Sequence, residues 1–299
     1  MFNASRLVLG TAQLGMPYGV ANSLGRPDQD MARRIVRQAW ENGVTFFDTA
    51  QAYADSELVL GDALHCIGAE ARANVITKLH PRFFRESPSL ILAELSRSLQ
   101  RCQVKSFYGV MLHDESGCDL LACGLGEALA EARNSGMARS IGVSVYTPRR
   151  AIEALKNKLI TQIQLPANIV DRRFSKQYVF EMAEEQGKQV FIRGALLQGV
   201  LCLNPDQLPQ RVQHAATMLE EYIEFCRRHG LAPAAAALTY LKNKFSSAFV
   251  LFGAETEEQV VQNIGYWKTA VPSGFMEEAD LLFKEQDELV LNPSNWPKK

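Results

Sequence analysis

The chain has 299 residues, and its 32 basic and 33 acidic side chains leave a net charge of −1. A balance so close to zero, with no basic run, argues against binding to nucleic acid or to an anionic membrane surface. Hydrophobic residues make up 47% of the chain, enough for a large core, and this composition argues against disorder.

The sequence also indicates the cellular compartment of the protein. No apolar stretch is long enough to cross a bilayer, and the first residues lack the apolar core of a signal peptide. The six cysteines include no Cys-x-x-Cys pair, so we expect them to be reduced, without disulfides or a bound metal. These features predict a soluble cytoplasmic protein. No apolar helix face stands out, so the sequence indicates no oligomeric state.

Eight short apolar segments alternate with helical patterns along the chain. The predicted strands cover residues 7–10, 45–47, 75–77, 107–112, 140–143, 162–165, 189–192 and 248–252. Helices are predicted over 27–43, 56–64, 87–99, 121–135, 147–155, 177–186, 215–228, 233–244, 256–263 and 276–289, followed by a loop-like tail at 293–297. The strands mostly recur roughly every 20–35 residues, a period typical of a (β/α)8 TIM barrel. A doubly wound open sheet is the alternative, but eight parallel strands favour closure into one domain over 1–299.

Four reactive side chains fall at the carboxyl ends of three successive predicted strands. Asp48 follows the strand at 45–47, Tyr53 lies in the loop beyond it, and Lys78 and His113 follow the next two strands. Parallel α/β folds keep their chemistry at these strand ends. A lysine ammonium lowers the pKa of a nearby phenol, a carboxylate fixes the lysine, and a histidine can orient a carbonyl by hydrogen bonding. The set therefore predicts proton donation to an oxygen that becomes alkoxide-like when hydride attacks a carbonyl.

Each of these residues also has a structural alternative. Asp48 is equally typical of a helix or loop cap, a lone tyrosine such as Tyr53 more often packs at a rim, and His113 with Asp114 is compatible with a structural pair. Lys78 is harder to explain in this way, because lysine is rarely buried unpaired. The joint occurrence at matching strand ends favours catalysis.

Several short motifs fall in order at successive predicted strand ends. They are Leu9-Gly-Thr-Ala12, Phe47-Asp-Thr-Ala50 with Tyr53, Thr77-Lys78, Leu112-His113, Ile141-Gly-Val-Ser144, Gln164, Asn168, and Gly253-Ala254 with Gln259 and Asn263. With these motifs the chain resembles the aldo-keto reductase family along nearly its whole length. The resemblance implies NAD(P)H-dependent reduction of an aldehyde, ketone or sugar carbonyl to an alcohol. It implies that Tyr53 is the proton donor, that Lys78 and Asp48 tune it, and that His113 positions the carbonyl.

The resemblance further implies a nicotinamide cofactor bound extended across the barrel mouth, without a Rossmann domain. The implied cofactor-binding residues are Gly10, Thr11, Ser144, Gln164, Arg193, Gly194, Leu196, Gln198, Gly253, Ala254, Gln259 and Asn263. Ser144 and Gln164 would hold the carboxamide; a strand-end cap and a barrel-core hydrogen bond are their structural alternatives. The Gly124-Leu-Gly126 pattern lies within a predicted helix and follows no strand, so we interpret it as structural.

Three positions depart from the family's pattern. Val145 stands where an asparagine usually follows the serine, and Arg193 where many members stack a tyrosine on the nicotinamide. A guanidinium can also stack on a ring, but an oxidised, cationic nicotinamide would repel it. Glu255 stands where many relatives offer Lys, Arg or Ser to a 2′-phosphate, with Gln259 rather than Arg one turn later. A carboxylate suits a free ribose hydroxyl; family precedent predicts NADP, with NAD or a solvent-facing Glu255 as alternatives.

The substrate pocket has the weakest signal. Tyr18, Phe83 and Trp296 are candidate apolar walls, with packing against helices or anchoring of the tail as the alternative. The loop over 114–119 is short, so we expect an open site for a small carbonyl or sugar substrate. Two other functions stay open: an NAD-dependent aldose or alcohol dehydrogenase, which Glu255 favours, and a nucleotide-binding redox-sensing subunit with little turnover.

Overall fold

The computed structural model describes residues 6–297. Eight parallel strands follow one another in chain order, and β1 pairs with both β2 and β8, which closes the barrel. The strands are β1 (Leu7–Gly10), β2 (Phe46–Asp48), β3 (Asn74–Leu79), β4 (Gly109–Leu112), β5 (Ile141–Ser144), β6 (Gln162–Pro166), β7 (Gln189–Arg193) and β8 (Phe249–Phe252). The predicted (β/α)8 TIM barrel is confirmed.

Helices connect successive strands and cover the outside of the barrel. They are α1 (Ala12–Gly15), α2 (Gln29–Glu41), α3 (Ser56–Cys66), α4 (Pro88–Cys102), α5 (Gly124–Asn134), α6 (Pro148–Lys156), α7 (Val179–Glu185), α8 (Ala216–Arg228), α9 (Pro233–Lys244), α10 (Glu257–Lys268), α11 (Phe275–Leu282) and α12 (Glu288–Leu291). Short 3-10 helices lie at Pro81–Phe83, Glu115–Leu120, Ser175–Gln177, Leu197–Cys202, Pro205–Gln207, Gln210–Ala215 and Pro293–Asn295. Among the described residues, no helix has both the length and the apolar character needed to span a membrane.

Side-chain caps determine where several helices begin. The Asp28 carboxylate accepts a hydrogen bond from the Met31 N–H at 2.7 Å at the start of α2. Ser87 and Thr147 cap α4 and α6 in the same way, and each is followed by a proline. Proline fits the first turn because an N–H there would have no hydrogen-bond partner within the helix. Local sequence alone therefore sets these three starts.

Two of the predicted helices differ clearly from the structure. The single helix expected over 276–289 is two helices, α11 and α12, because the Asp287 carboxylate accepts from the Leu289 N–H at 2.8 Å and begins a new turn. The helix expected from 121 begins at Gly124, because the 3-10 helix Glu115–Leu120 precedes it. The Gly124–Gly126 pattern does lie within a helix, as predicted.

An apolar layer inside the barrel supports the site above it. Its members are Val8, Phe46, Ile76, Met111, Phe191 and Leu251, and the Phe46 ring lies 4.7 Å from that of Phe249. Side chains alternate along a strand, so the residue two positions after each of these again faces the barrel interior, nearer its carboxyl end. Those positions are Gly10, Asp48, Lys78, His113, Arg193 and Gly253. The alternation thus gathers the polar residues into one layer over an apolar floor.

Candidate active site

A buried ion pair forms the centre of this polar layer. Lys78 is 1% exposed and Asp48 is 2% exposed, and the Lys78 Nζ donates to Asp48 Oδ2 at 2.5 Å. The same ammonium group donates to the Thr49 carbonyl oxygen at 3.1 Å and to the Tyr53 hydroxyl oxygen at 3.3 Å. The other Asp48 oxygen, Oδ1, accepts from the Gln164 amide at 2.7 Å. The charges therefore have the partners that buried charges require.

Tyr53 is positioned by the loop that follows β2. The Gln51 N–H donates to the Lys78 carbonyl at 3.2 Å, and the Tyr53 N–H donates to the Ala50 carbonyl at 3.0 Å. On the other side, Gly15 of α1 approaches so closely that a Cβ there would lie 1.9 Å from the Tyr53 carbonyl oxygen. The loop is thus held against α1 by a contact that only glycine permits.

Three buried hydroxyl groups join the segments on either side of Tyr53. The Thr11 Oγ1 donates to the Asp48 carbonyl at 2.9 Å and lies 2.7 Å from Ser56 Oγ, which lies 2.9 Å from Thr49 Oγ1. This cluster connects the ends of β1 and β2 to the first residue of α3. Because it ties down both ends of the loop, the Tyr53 hydroxyl is directed towards Lys78 with little freedom.

Burial controls the protonation of the site. It raises the pKa of the Tyr53 phenol well above 10, and the Asp48 charge raises it further, although Arg193 opposes this. The sequence predicts a phenol pKa lowered by lysine; the pKa is instead raised, because desolvation and the Asp48 carboxylate outweigh nearby cations. Burial also lowers the Lys78 pKa, against the attraction of Asp48. The phenol therefore keeps its proton at neutral pH.

His113 faces the same point from the end of β4. Its ring stands perpendicular to the Tyr53 ring, with centroids 5.3 Å apart, and its Nδ1 is buried without a partner. Burial lowers the His113 pKa to about 3, helped by the charge on Lys78, so the imidazole is neutral. Asp114 instead caps the next turn by accepting from the Ser116 N–H at 2.9 Å. The structure thus brings all four predicted reactive residues together.

A cavity of about 420 Å³ opens over these residues and is lined by both Asp48 and Tyr53. Most of the residues expected to bind a cofactor line it: Gly10, Thr11, Gln164, Arg193, Gly194, Leu196, Gln198, Gly253, Ala254, Gln259 and Asn263. Ser144 is 2% exposed and is not among the lining residues. The polar layer therefore continues into a cleft that reaches α10.

Several lining residues were not anticipated from the sequence: Gln13, Asn22, Cys202, Pro233, Gln262 and Tyr266. Gln262 and Tyr266 follow Gln259 at helical spacing on α10, so the periodicity of that helix contained a signal for them. The others lie in a loop, in short helices or at a helix start, where no period identifies an inward-facing position.

Two loops meet over one side of the cavity. The Gln198 carbonyl oxygen accepts from the N–H groups of Val20 at 2.9 Å and Ala21 at 3.4 Å. Gly199 has a φ of 89°, and a Cβ there would lie 2.6 Å from the Ala21 Cβ. The contact between residues 20–21 and 198–199 therefore depends on glycine.

At the α10 end of the cavity, the Glu255 carboxylate has no basic partner among the described residues. The Glu255 N–H donates to Gln259 Oε1 at 2.7 Å, and Asn263 Nδ2 donates to the Gly253 carbonyl at 3.5 Å. Partial burial raises the Glu255 pKa. Arg193 is the one basic residue among those that line the cavity within residues 6–297. The Gln259 side chain thus holds the segment that carries Glu255.

Arg193 ends β7 and extends towards the β5–α6 loop. Its Nη2 donates to the Val145 carbonyl at 3.3 Å, and its Cζ lies 4.2 Å from the centre of the Tyr146 ring. Its Nε is buried without a hydrogen-bond partner. The guanidinium is therefore fixed by one aromatic face and one carbonyl while it lines the cavity.

The three side chains predicted to line the substrate pocket lie in different places in the structure. Tyr18 lines the cavity, whereas Phe83 and Trp296 do not. The Phe83 ring packs against the His80 ring, 6.4 Å away, and the Arg82 guanidinium. Trp296 is 5% exposed, and its Nε1 donates to the Leu289 carbonyl at 2.8 Å, so it anchors the tail to α12. These contacts favour the structural alternative for both side chains, and their part in substrate binding stays a prediction.

Solved structures share this fold. An aldo-keto reductase, AKR11C1 from Bacillus halodurans in its holo form, superposes with a TM-score of 0.74 at 23% identity, covering 93% of this chain and 91% of that one. An aldo/keto reductase from Klebsiella pneumoniae in complex with NADP and acetate superposes with a TM-score of 0.69 at 18% identity, covering 96% and 94%.

Sequence relatives and a family model agree with the fold. The NADH-specific methylglyoxal reductase of Escherichia coli K12 is 24% identical over 294 residues, covering 87% of this chain and 89% of the relative. The L-glyceraldehyde 3-phosphate reductase of the same strain is 26% identical over 304 residues, covering 87% and 84%. The model of the Aldo/keto reductase family matches residues 6–282. The chain therefore belongs to the aldo/keto reductase family.

Proposed function

We propose that this protein reduces the carbonyl group of a small aldehyde, ketone or sugar to an alcohol, using a reduced nicotinamide dinucleotide. The observation that carries the proposal is the contact of Lys78 Nζ with both Asp48 and the Tyr53 hydroxyl, beside a neutral His113, at the wall of a cavity. The Tyr53 phenol has a fixed cation beside it, and no described carboxylate forms a hydrogen bond with its hydroxyl. Such a phenol suits proton donation.

The residues around the cavity fit a dinucleotide. A Cβ at Gly253 would lie 2.1 Å from the Gln13 amide, so the glycine lets the Gln13 side chain lie against this part of the cavity wall, where its amide could meet a ligand. Gln164 uses its Nε2 on Asp48, which leaves its Oε1 free to accept from a carboxamide. Gly10, Arg193 and Asn263 would line the remaining length of the cofactor. Ser144, although buried beneath the surface, stays a proposed carboxamide ligand beside Gln164.

When bound, the cofactor supplies the hydride that attacks the carbonyl carbon. His113 donates a ring N–H to the carbonyl oxygen and orients it. Tyr53 then transfers its phenolic proton to that oxygen as negative charge develops there. Lys78, 3.3 Å from the phenol, stabilises the phenolate that is left, and Asp48 holds Lys78 in place. The raised pKa of Tyr53 keeps the proton on the phenol until the stronger base appears.

We propose small carbonyl compounds and sugars as the substrates, which need no long lid over the site. The connection from β4 to α5 is short and contains only the 3-10 helix Glu115–Leu120, so no long lid covers His113. The names of the two Escherichia coli relatives refer to methylglyoxal and to L-glyceraldehyde 3-phosphate. The direct test is oxidation of NADPH and NADH by the purified protein with a panel of small aldehydes; no turnover and no cofactor binding would reject the proposal.

The proposed cofactor is NADP by family resemblance, and Glu255 favours NAD. No basic side chain among the described residues lines the cavity beside this carboxylate, which would repel a 2′-phosphate and accept from a ribose hydroxyl. NADH preference would also support a second candidate function, NAD-dependent oxidation of an aldose, because the same residues serve the reverse reaction.

A charge change at this position tests the cofactor preference. We expect Glu255→Ser to increase the affinity for NADPH by about 10-fold and to leave NADH binding nearly unchanged, measured by fluorescence titration, because one like-charge repulsion is removed. Glu258→Ser on the same helix is the matched control, since Glu258 is exposed and lies outside the cavity. An unchanged NADPH affinity in Glu255→Ser would mean that Glu255 faces solvent.

A further inference from the structure

Arg193 lacks the carboxylate partner that three other buried or half-buried arginines have within residues 6–297. Arg101, Arg172 and Arg173 each form an ion pair with a carboxylate. Arg6 has no such pair, but its guanidinium donates to three backbone carbonyls. For Arg193, the hydrogen-bond acceptor within residues 6–297 is the Val145 carbonyl alone, and no carboxylate there pairs with it.

The surroundings hold the Arg193 guanidinium rigid without neutralising it. Tyr146 covers one face at 4.2 Å, and the Val145 carbonyl holds Nη2, while Nε is buried without a partner. Unpaired donors of a buried cation cost stability unless a ligand uses them. A planar guanidinium with free N–H groups matches the geometry of a carboxylate or a phosphate.

The charge balance of the site points the same way. Asp48 and Lys78 cancel each other, and His113 is neutral. Among the described groups around Tyr53, Arg193 therefore leaves one positive charge without a paired carboxylate; Glu255, the other unpaired charge that lines the cavity, lies on the segment before α10. In a cleft with low-dielectric walls such a positive charge attracts anions and raises their local concentration.

From this geometry we propose that Arg193 binds an anionic group of the substrate, so that the preferred carbonyl substrates carry a carboxylate or a phosphate. The inference rests on the proposed carbonyl reduction and adds the substrate class. It differs from the stacking of Arg193 on the nicotinamide, because a stacking residue would affect charged and neutral substrates alike.

The kinetic test compares each oxo acid with its methyl ester, which keeps the carbon skeleton and removes the charge. Glyoxylate, 3-oxopropanoate and 4-oxobutanoate cover different distances between the carbonyl and the carboxylate, and glyceraldehyde 3-phosphate against glyceraldehyde tests phosphate. We expect kcat/KM to favour at least one anion over its neutral counterpart by about 10- to 100-fold. The pair with the larger preference identifies carboxylate or phosphate as the recognised group.

Variants assign that preference to Arg193. Arg193→Met should abolish it: any change in cofactor binding lowers kcat/KM for the anion and its ester equally, and the anion loses a further factor of about 10 to 100, the size of the preference. Arg193→Lys should restore part of the preference because the charge returns without the planar fork. Arg150→Met is the matched control, since Arg150 lies near Tyr146 but is already paired with Asp119 at 2.7 Å. An equal loss for anions and esters, or unchanged preference in Arg193→Met, overturns the proposal.

A binding measurement separates this proposal from the catalytic one. Inorganic phosphate and oxalate are titrated calorimetrically into the wild-type protein saturated with reduced cofactor, and into Arg193→Met and Tyr53→Phe. Binding that Arg193→Met loses and Tyr53→Phe keeps supports the anion site even if no carbonyl is turned over. Equal binding by wild type and Arg193→Met, or no binding by either, contradicts it whatever the turnover.

Discussion

The Lys78 ammonium group is buried, and its neighbours determine whether it stays charged. Burial lowers the Lys78 pKa, while Asp48 at 2.5 Å favours the charged form. The Thr49 carbonyl and the Tyr53 hydroxyl take its other hydrogen bonds. In the proposed mechanism, an ammonium fixed in this way stabilises a negative charge on the Tyr53 oxygen without reorganising, as a preorganised site requires.

The depressed pKa of His113 has a consequence for stability against pH. The folded value is about 3 and the ordinary value is 6.5, so below pH 6.5 the unfolded chain takes up a proton that the folded chain does not. The stability contributed by the neutral imidazole is therefore present above pH 6.5 and is lost as the pH falls towards 3. Between pH 7 and pH 5 the expected loss is about 2 kcal/mol.

Urea denaturation of the wild type and His113→Gln at both pH values checks this. The free energy of unfolding should fall by about 2 kcal/mol more in the wild type than in the variant, since other titrating groups are common to both. Identical pH dependence would show that the folded imidazole takes up the proton as readily as the unfolded one.

At the scale of elements, the Glu57 carboxylate connects α3, β3 and α4 on the outer side of the barrel wall. It lies on α3, is 2% exposed, and accepts from Thr77 Oγ1 of β3 at 2.6 Å and from Ser98 Oγ and Arg101 Nε of α4 at 3.2 and 2.6 Å. Thr77 precedes Lys78, and α3 follows the Tyr53 loop. The network thus fixes β3, which carries Lys78, relative to α3 and the Tyr53 loop that precedes it.

Removing the charge of Glu57 should therefore destabilise the barrel. Glu57→Gln leaves Arg101 without its buried partner, and we expect a loss of about 2 kcal/mol in the free energy of unfolding, less than for a fully buried pair because Arg101 is 32% exposed. Asp30→Asn is the control, since Asp30 is 77% exposed and pairs with Arg33 at the surface. Chemical denaturation that finds equal effects would exclude a stabilising role for the buried network.

At the scale of the whole molecule, local sequence patterns predicted the barrel and the reactive residues at the ends of its strands. Buried runs ending in Asp48, Lys78 and His113 are local features, and alternation along parallel strands brings their ends together once the barrel closes. The family resemblance added eleven residues of the cavity wall, several of which also follow strand ends.

Contacts between distant loops had no such local signal. The hydrogen bonds from residues 20–21 to Gln198, and the structural positions of Phe83 and Trp296, depend on how loops fold back over the barrel. The direction of the Tyr53 pKa was missed for a related reason: a lysine can be read from the sequence, but the burial that outweighs it comes from several elements together.

The measurement that bears most directly on the proposed mechanism is the kinetics of Tyr53→Phe. With a carbonyl that the wild type reduces, kcat should fall by about 1,000-fold while the affinity for reduced cofactor stays within about twofold, because the hydroxyl acts only as charge develops on the substrate. Tyr108→Phe is the matched control: its hydroxyl accepts from Gln189 at 2.6 Å at the far end of the barrel, and kcat should not change. Full turnover by Tyr53→Phe would contradict the role of Tyr53 as proton donor.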